Sequence, residues 1–200
     1  MGTEATTVDV DTGLRKIWTI GHSTRTFEEL VDLLRHYEIE AVADVRRFPG
    51  SRRYPYFQRD ELAVSLPAQG IAYQWIPKLG GRRPVHRDSP NTAWRNASFR
   101  GYADYMASTE FAEGLDELLR FAEAQRTAMM CAEAVWWRCH RSMLADFLSV
   151  RGIEVIHIID ERHGNPHPYT GPARIVDGQL TYEADRGVPL KAGKPPTSGA

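Results

Sequence analysis

The chain has 200 residues, enough for one domain with a core of its own, and its 42% hydrophobic and 10% aromatic content fits a folded globule. A formal net charge of -1 excludes a global field that would draw nucleic acid or membrane, so any such preference has to come from local clusters. No apolar run approaches the ~20 residues of a membrane span, the polar start is unlike a signal peptide, and two cysteines make no disulfide framework; a cytoplasmic protein with reduced thiols and no membrane partner is expected.

In chain order, residues 1–14 read as a flexible arm. Ile17-Trp-Thr-Ile20 is a short strand that stops at Gly21-His22-Ser23. Thr26-Phe-Glu-Glu29 has the spacing of a capping box, and the helix after it carries Leu30, Leu33, Leu34 and Tyr37 on one stripe. Glu40–Val45 is a second strand, running into Arg46-Arg47-Phe48-Pro49-Gly50. Strand, helix and strand with short connections predict parallel strands. Asp60–Leu66 reads as a helix and Ile71–Ile76 as a third strand, broken by Pro77-Lys-Leu-Gly80-Gly81. Residues 85–97 have no period and read as a long loop, a length often tied to function. Phe99–Ala124 is helical with a break near Ser108-Thr109.

Ala128–Cys131 is a fourth buried strand, and a helix follows with Leu144, Phe147 and Leu148 on one face. Glu154–Ile159 is a fifth strand, Asp160–Pro172 a polar loop with His163, His167 and Tyr169, and Arg174–Tyr182 a hairpin turning at Asp177-Gly178. Residues 188–200 read as a disordered tail. The sum is an α/β fold: a single compact three-layer domain over 15–187 with a mostly parallel central sheet, a small C-terminal hairpin and a polar pocket at the carboxyl ends of the strands, where open α/β sheets bind ligands.

Three strand ends carry polar groups at that edge: His22 and Ser23, then Asp44 and Arg46, then Cys131 and Glu133. Asp44 sits in an otherwise apolar strand and needs a partner, for which Arg46 and Arg141 both qualify. Cys139-His140-Arg141-Ser142 begins a helix, whose free N–H groups and positive dipole end favour an anion and lower a thiol pKa. A capping or core role for either thiol is the alternative. The Cys131–Cys139 spacing is not that of a zinc knuckle, so a transition metal is a minor expectation, with no metal ligands assigned. No dinucleotide or P-loop motif is present, and neither thiol has the Arg spacing of a cysteine phosphatase. Arg46 to Phe57, rich in Arg and Tyr and including Arg52, could track a backbone and stack bases, or be a solvated loop.

Thr19-Ile-Gly-His-Ser-Thr, Asp44-Val-Arg-Arg-Phe-Pro-Gly-Ser, Leu79-Gly-Gly, Phe99-Arg-Gly-Tyr, Cys131-Ala-Glu with Cys139-His-Arg-Ser, and His167-Pro-Tyr-Thr ahead of Ile175-Val-Asp-Gly-Gln-Leu-Thr-Tyr resemble, in this order, the bacterial and archaeal family catalogued as domain of unknown function 488. The resemblance runs from about Ile17 to Tyr182 and implies a compact α/β fold without implying an activity. It carries over onto His22, Ser23, Asp44, Arg46, Cys131, Glu133, Cys139, His140 and Arg141, while Ala134-Val-Trp-Trp-Arg138 departs from the polar connector of the family.

The leading expectation is an enzyme acting on a phosphate-bearing substrate, a nucleotide or nucleic acid. His22, Asp44, Glu133 and Cys139 are the catalytic candidates, and Ser23, Arg46, Arg52, His140, Arg141 and Tyr169 the substrate-binding ones. A non-catalytic nucleic-acid-binding protein and a thiol- or metal-based sensor are the alternatives.

Overall fold

The computed structural model describes residues 14–185 and the short strand Val188–Pro189. Residues 1–13 of the expected N-terminal arm and most of the expected tail lie outside the described residues; Leu14, the last residue of that arm, packs against the core. Strands β1 (Lys16–Gly21), β2 (Ala41–Asp44), β3 (Ala72–Trp75), β4 (Thr127–Cys131) and β5 (Glu154–Ile158) run parallel in the order β3-β2-β4-β1-β5, and β6 (Gly164–Pro166) pairs antiparallel with β5. The fold is therefore the expected mixed α/β class with a mostly parallel sheet.

Helices α1 (Phe27–His36) and α2 (Arg59–Ala68) cover one face, where Leu30, Leu34, Leu62 and Leu66 meet Trp18, Ile20, Val42 and Met130. Helices α3 (Ala97–Tyr105), α4 (Thr109–Glu123) and α5 (Arg141–Val150) cover the other, where Phe111, Leu118, Leu144 and Leu148 meet Ile17, Ala43, Met129 and Val155. Successive strand residues point to opposite faces, so strands covered on both sides read as continuous apolar runs.

Local signals hold at the boundaries. Thr26 Oγ1 accepts from the Glu29 N–H at 3.2 Å, and Glu29 Oε2 accepts from the Thr26 N–H at 2.7 Å, closing the capping box of α1. Ser108 caps α4 where the helical stretch breaks. The hairpin of β7 (Arg174–Val176) and β8 (Gln179–Thr181) turns at Asp177 and Gly178, both at positive φ as a type I′ turn requires. Strand β9 (Val188–Pro189) pairs with β7, so the first two residues of the expected tail belong to this small sheet.

The segment 160–172, read as a loop, contains β6. Gly164-Asn-Pro166 has turn composition and no strand period; the open edge of β5 supplies its pairing, with His157 opposite Asn165. The long loop 85–97 is tied down by the Asp104 carboxylate of α3, which accepts from the His86 N–H at 2.9 Å, Ser89 Oγ at 2.5 Å and Asn91 Nδ2 at 2.8 Å. Among the described residues no helix is long and apolar enough to cross a membrane.

Candidate functional site

The carboxyl ends of β1, β2 and β4 converge with the start of α5, and two buried clusters form there. The first is built on β2. Asp44 is fully buried, and Arg46 takes its carboxylate bidentately, Nε to Oδ1 at 2.8 Å and Nη2 to Oδ2 at 2.6 Å. The Arg46 N–H adds a bond to Oδ1 at 3.1 Å and the Tyr73 hydroxyl one to Oδ2 at 2.8 Å. Of the two arginines open as partners for Asp44, Arg46 is the one used. Arg46 Nη1 also reaches His22 Nε2 at 3.2 Å. A guanidinium can only donate, so His22 carries its proton on Nδ1, beside the Ser23 carbonyl at 3.1 Å. Burial, then Arg46, pushes the His22 pKa down to about 4, leaving the ring neutral, stacked 4.1 Å from Phe57.

The second cluster holds the thiols. Cys131 ends β4, and Cys139 precedes α5 in an extended conformation. Both are free thiols, 7% and 3% exposed. Cys139 Sγ lies 3.6 Å from His140 Nδ1 and 3.5 Å from Arg141 Nε. His140 Nε2 donates to the Val45 carbonyl at 3.1 Å, and Nδ1 turns to the sulfur, with which it shares the thiol proton: it accepts from the Cys139 S–H and, once the proton has moved, donates to the thiolate. Burial alone would raise the Cys139 pKa; the Cys131 thiol, His140 and Arg141 outweigh it and hold the group well below the usual thiol value. Cys131 goes the other way, pushed well above that value by Cys139 beside it and by burial.

Arg141 is 1% exposed, and its Nη2 donates to the Glu133 carbonyl. No carboxylate pairs with it among the described residues, and its Nε faces the Cys139 sulfur at 3.5 Å. Two glycine contacts keep the edge this tight. A Cβ on Gly21 would lie 1.8 Å from the Glu133 carbonyl oxygen, and one on Gly80 2.5 Å from the Arg47 nitrogen.

The sequence-derived candidates thus divide. His22, Asp44 and Arg46 form one network, Cys139, His140 and Arg141 the other, and both are packed rather than open. Ser23, at φ 50, joins through its backbone. Glu133 enters the packing through its carbonyl, while its side chain is exposed at the rim. Arg52 is exposed with no ion pair among the described residues. Tyr169 is half-buried, its ring 6.2 Å from His167. The rim is basic: Arg47 Nη1 donates to the Arg82 carbonyl at 2.7 Å, joining two loops, and Arg82 and Arg138 are exposed without ion pairs among the described residues.

Sequence reasoning missed a third network on the α5 side. Thr19 Oγ1 lies 2.6 Å from His157 Nδ1, His157 Nε2 2.8 Å from His167 Nδ1, and His167 Nε2 3.0 Å from Asp146 Oδ1. Asp146 also accepts from the Thr170 N–H at 2.8 Å, the Thr170 hydroxyl at 2.6 Å and the Tyr182 hydroxyl at 2.9 Å. Burial, with His167 next in effect, holds His157 well below the usual imidazole value. Trp136 stacks flat on His157, centroids 4.2 Å apart, and anchors the turn that delivers Cys139. The available signal was His157 itself, a polar residue in a buried strand like Asp44.

No curated protein and no solved structure matches the chain. The family described as Domain of unknown function DUF488 matches residues 26–148. The matched span takes in Asp44, Arg46, Cys131, Glu133, Cys139, His140 and Arg141, and leaves His22, Ser23 and Tyr169 outside it. It covers more than half of the sequence, and the chain belongs to the DUF488 family.

Proposed function

We propose that the protein is an enzyme acting on a phosphate-bearing substrate, a nucleotide or nucleic acid, with the Cys139 thiolate at its reaction centre. One observation carries the reading: Cys139 Sγ is held at once by His140 Nδ1 at 3.6 Å and Arg141 Nε at 3.5 Å at the start of a helix. Arg141 faces the sulfur, and Arg46 is committed to Asp44 and His22. The substrate anion therefore falls to the rim guanidiniums of Arg47, Arg82 and Arg138, with Arg52 on the same loop as Arg47. Of the acid–base candidates, Glu133 has the uncommitted carboxylate; His22 is neutral with its lone pair occupied, and Asp44 orients Arg46.

The test is alkylation of each cysteine against pH, repeated with inorganic phosphate, ATP or a short single-stranded oligonucleotide present. Cys139 reacting as a thiolate below pH 7, and slowed by at least one phosphate probe in an Arg82- and Arg138-dependent way, supports the reading. A Cys139 that stays inert until unfolding removes it.

The non-catalytic nucleic-acid reading has one observation of its own. Phe48 is 66% exposed, with the Arg47 guanidinium 5.3 Å from its ring centre, the pairing of a base-stacking platform. Oligonucleotide binding with a steep salt slope, unchanged in Cys139→Ser and lost in Phe48→Ala, would favour it over the enzyme.

A further inference from the structure

The Cys131, Cys139 and His140 side chains each turn one donor atom toward the others, and the three atoms lie within 4.8 Å of one another. Tetrahedral zinc binds sulfur at ~2.3 Å and imidazole nitrogen at ~2.0–2.1 Å, which sets a sulfur–nitrogen edge of about 3.6 Å. Cys139 Sγ and His140 Nδ1 are 3.6 Å apart. Three protein donors of this kind with a fourth position left over is the pattern of a catalytic zinc site.

Two further features fit a ligand set. A metal-ligating imidazole almost always donates its second N–H to a carbonyl or carboxylate, which fixes tautomer and aim; His140 Nε2 does this to the Val45 carbonyl at 3.1 Å. Space is also kept clear at the ligating nitrogen. Gly81 lies over the ring, and a Cβ there would stand 2.9 Å from Nδ1.

We propose that Cys131, Cys139 and His140 form a three-ligand site for a thiophilic divalent cation of the zinc class. The inference deepens the reading of this cluster as a reaction centre and rests on it. With the ion in place Cys139 acts as a ligand, and the fourth position takes water or a substrate oxygen. Binding breaks the Cys131 S–H bond and displaces the proton shared by Cys139 Sγ and His140 Nδ1, forms two sulfur–metal bonds and one nitrogen–metal bond and sends both protons to solvent, so affinity rises with pH. The Arg141 N–H remains a donor to the Cys139 sulfur, which moderates the charge of two thiolates on one ion.

The experiment is a titration of the fully reduced, metal-free full chain with Co2+, followed by displacement with Zn2+. One equivalent of Co2+ is expected to give a thiolate-to-cobalt charge-transfer band with the visible bands of a tetrahedral ion. Zn2+ should then abolish it and slow alkylation of both cysteines more than about tenfold. Cys131→Ser and His140→Ala should each weaken binding by at least about tenfold, the lower end for disturbing even an outer-shell group. Gly81→Ala, which removes no ligand, should weaken it by crowding Nδ1.

The absence of a charge-transfer band, or a band undiminished in Cys131→Ser, overturns the metal site. Alkylation in wild-type protein separates the two readings without any variant. A Cys139 that reacts as a thiolate but gains no protection from Zn2+ overturns the metal and leaves the reactive thiolate standing. A Cys139 that is inert in the metal-free protein, with no cobalt band on titration, overturns both.

Discussion

His140 hands one nitrogen to the Val45 carbonyl and the other to Cys139, so a residue at the end of β2 aims the imidazole that faces a thiol 94 residues further on. The sulfur gets its second polar neighbour from Arg141. This separation of roles leads to the first prediction. Arg141→Met keeps much of the side-chain bulk and removes the charge. The pH midpoint of Cys139 alkylation should rise by about 1–3 pH units, as expected for losing an opposite charge at contact distance. A midpoint that does not move would mean that Arg141 serves only the Glu133 carbonyl.

The Asp44–Arg46 pair sets the second. Both side chains are buried, 0% and 6% exposed, and removing one leaves the other's charge without a partner. Asp44→Asn should cost roughly 3–5 kcal/mol in urea unfolding. Tyr73→Phe removes one bond to the same carboxylate and should cost about 1 kcal/mol. Equal losses in the two variants would argue against the ion pair as the dominant contact.

Acid should weaken the fold through its histidines. His22 falls from 6.5 in the unfolded chain to about 4 in the folded one, by burial and then Arg46, and His157 moves the same way. Between those values the unfolded chain binds more protons than the native protein. Their contribution is complete above pH 6.5 and is lost as pH falls toward 4. For His22 the loss from pH 7 to 5 is on the order of 2 kcal/mol. His22→Gln should flatten that part of the stability–pH curve; a curve equally steep in the variant would assign the slope elsewhere.

Close backbone approach gives the fourth. Gly21→Ala pushes a methyl group into the Glu133 carbonyl, and backbone on both sides has to move. It should destabilise by several kcal/mol and displace the loop that Arg141 holds, the large effect expected of overpacking at a buried contact. Gly171→Ala meets nothing within 4 Å and should stay within about 0.5 kcal/mol of wild type. Comparing the two melting temperatures isolates the contact from the loss of a glycine.

Much of this was legible in the sequence where a local rule decides. The capping box at Thr26, the break at Ser108, the Asp177-Gly178 turn and the five parallel strands follow from nearest-neighbour chemistry and period. The gathering of His22, Asp44, Arg46 and Cys131 at one edge followed from strand ends, and that of Cys139 from the start of the helix after the fourth strand. What stayed hidden depends on partners distant in the chain. Asp146 looks like an ordinary helical carboxylate until Thr170 and Tyr182 converge on it. His167 reaches His157 because β6 folds back on β5, and Gly164-Asn-Pro166 gives no strand period to reveal that return. Glu133 was read for its carboxylate, whereas its carbonyl is the atom the core uses.

The strand order β3-β2-β4-β1-β5 has a consequence for how the chain reaches this state. Its first-synthesised strand is an inner one, and both neighbours of β1, the strands at 127–131 and 154–158, are made more than a hundred residues later. Until then Ile17, Trp18 and Ile20 lack both of the strands they pair with, and the nascent chain carries an unpaired apolar strand while more than a hundred further residues are made. Pairing over such separations is slow, because the loop has to close before any contact rewards it. Cys131 and Cys139 are themselves made only at the end of that interval, so the thiol cluster at the sheet edge forms when β4 and the start of α5 join strands made long before them.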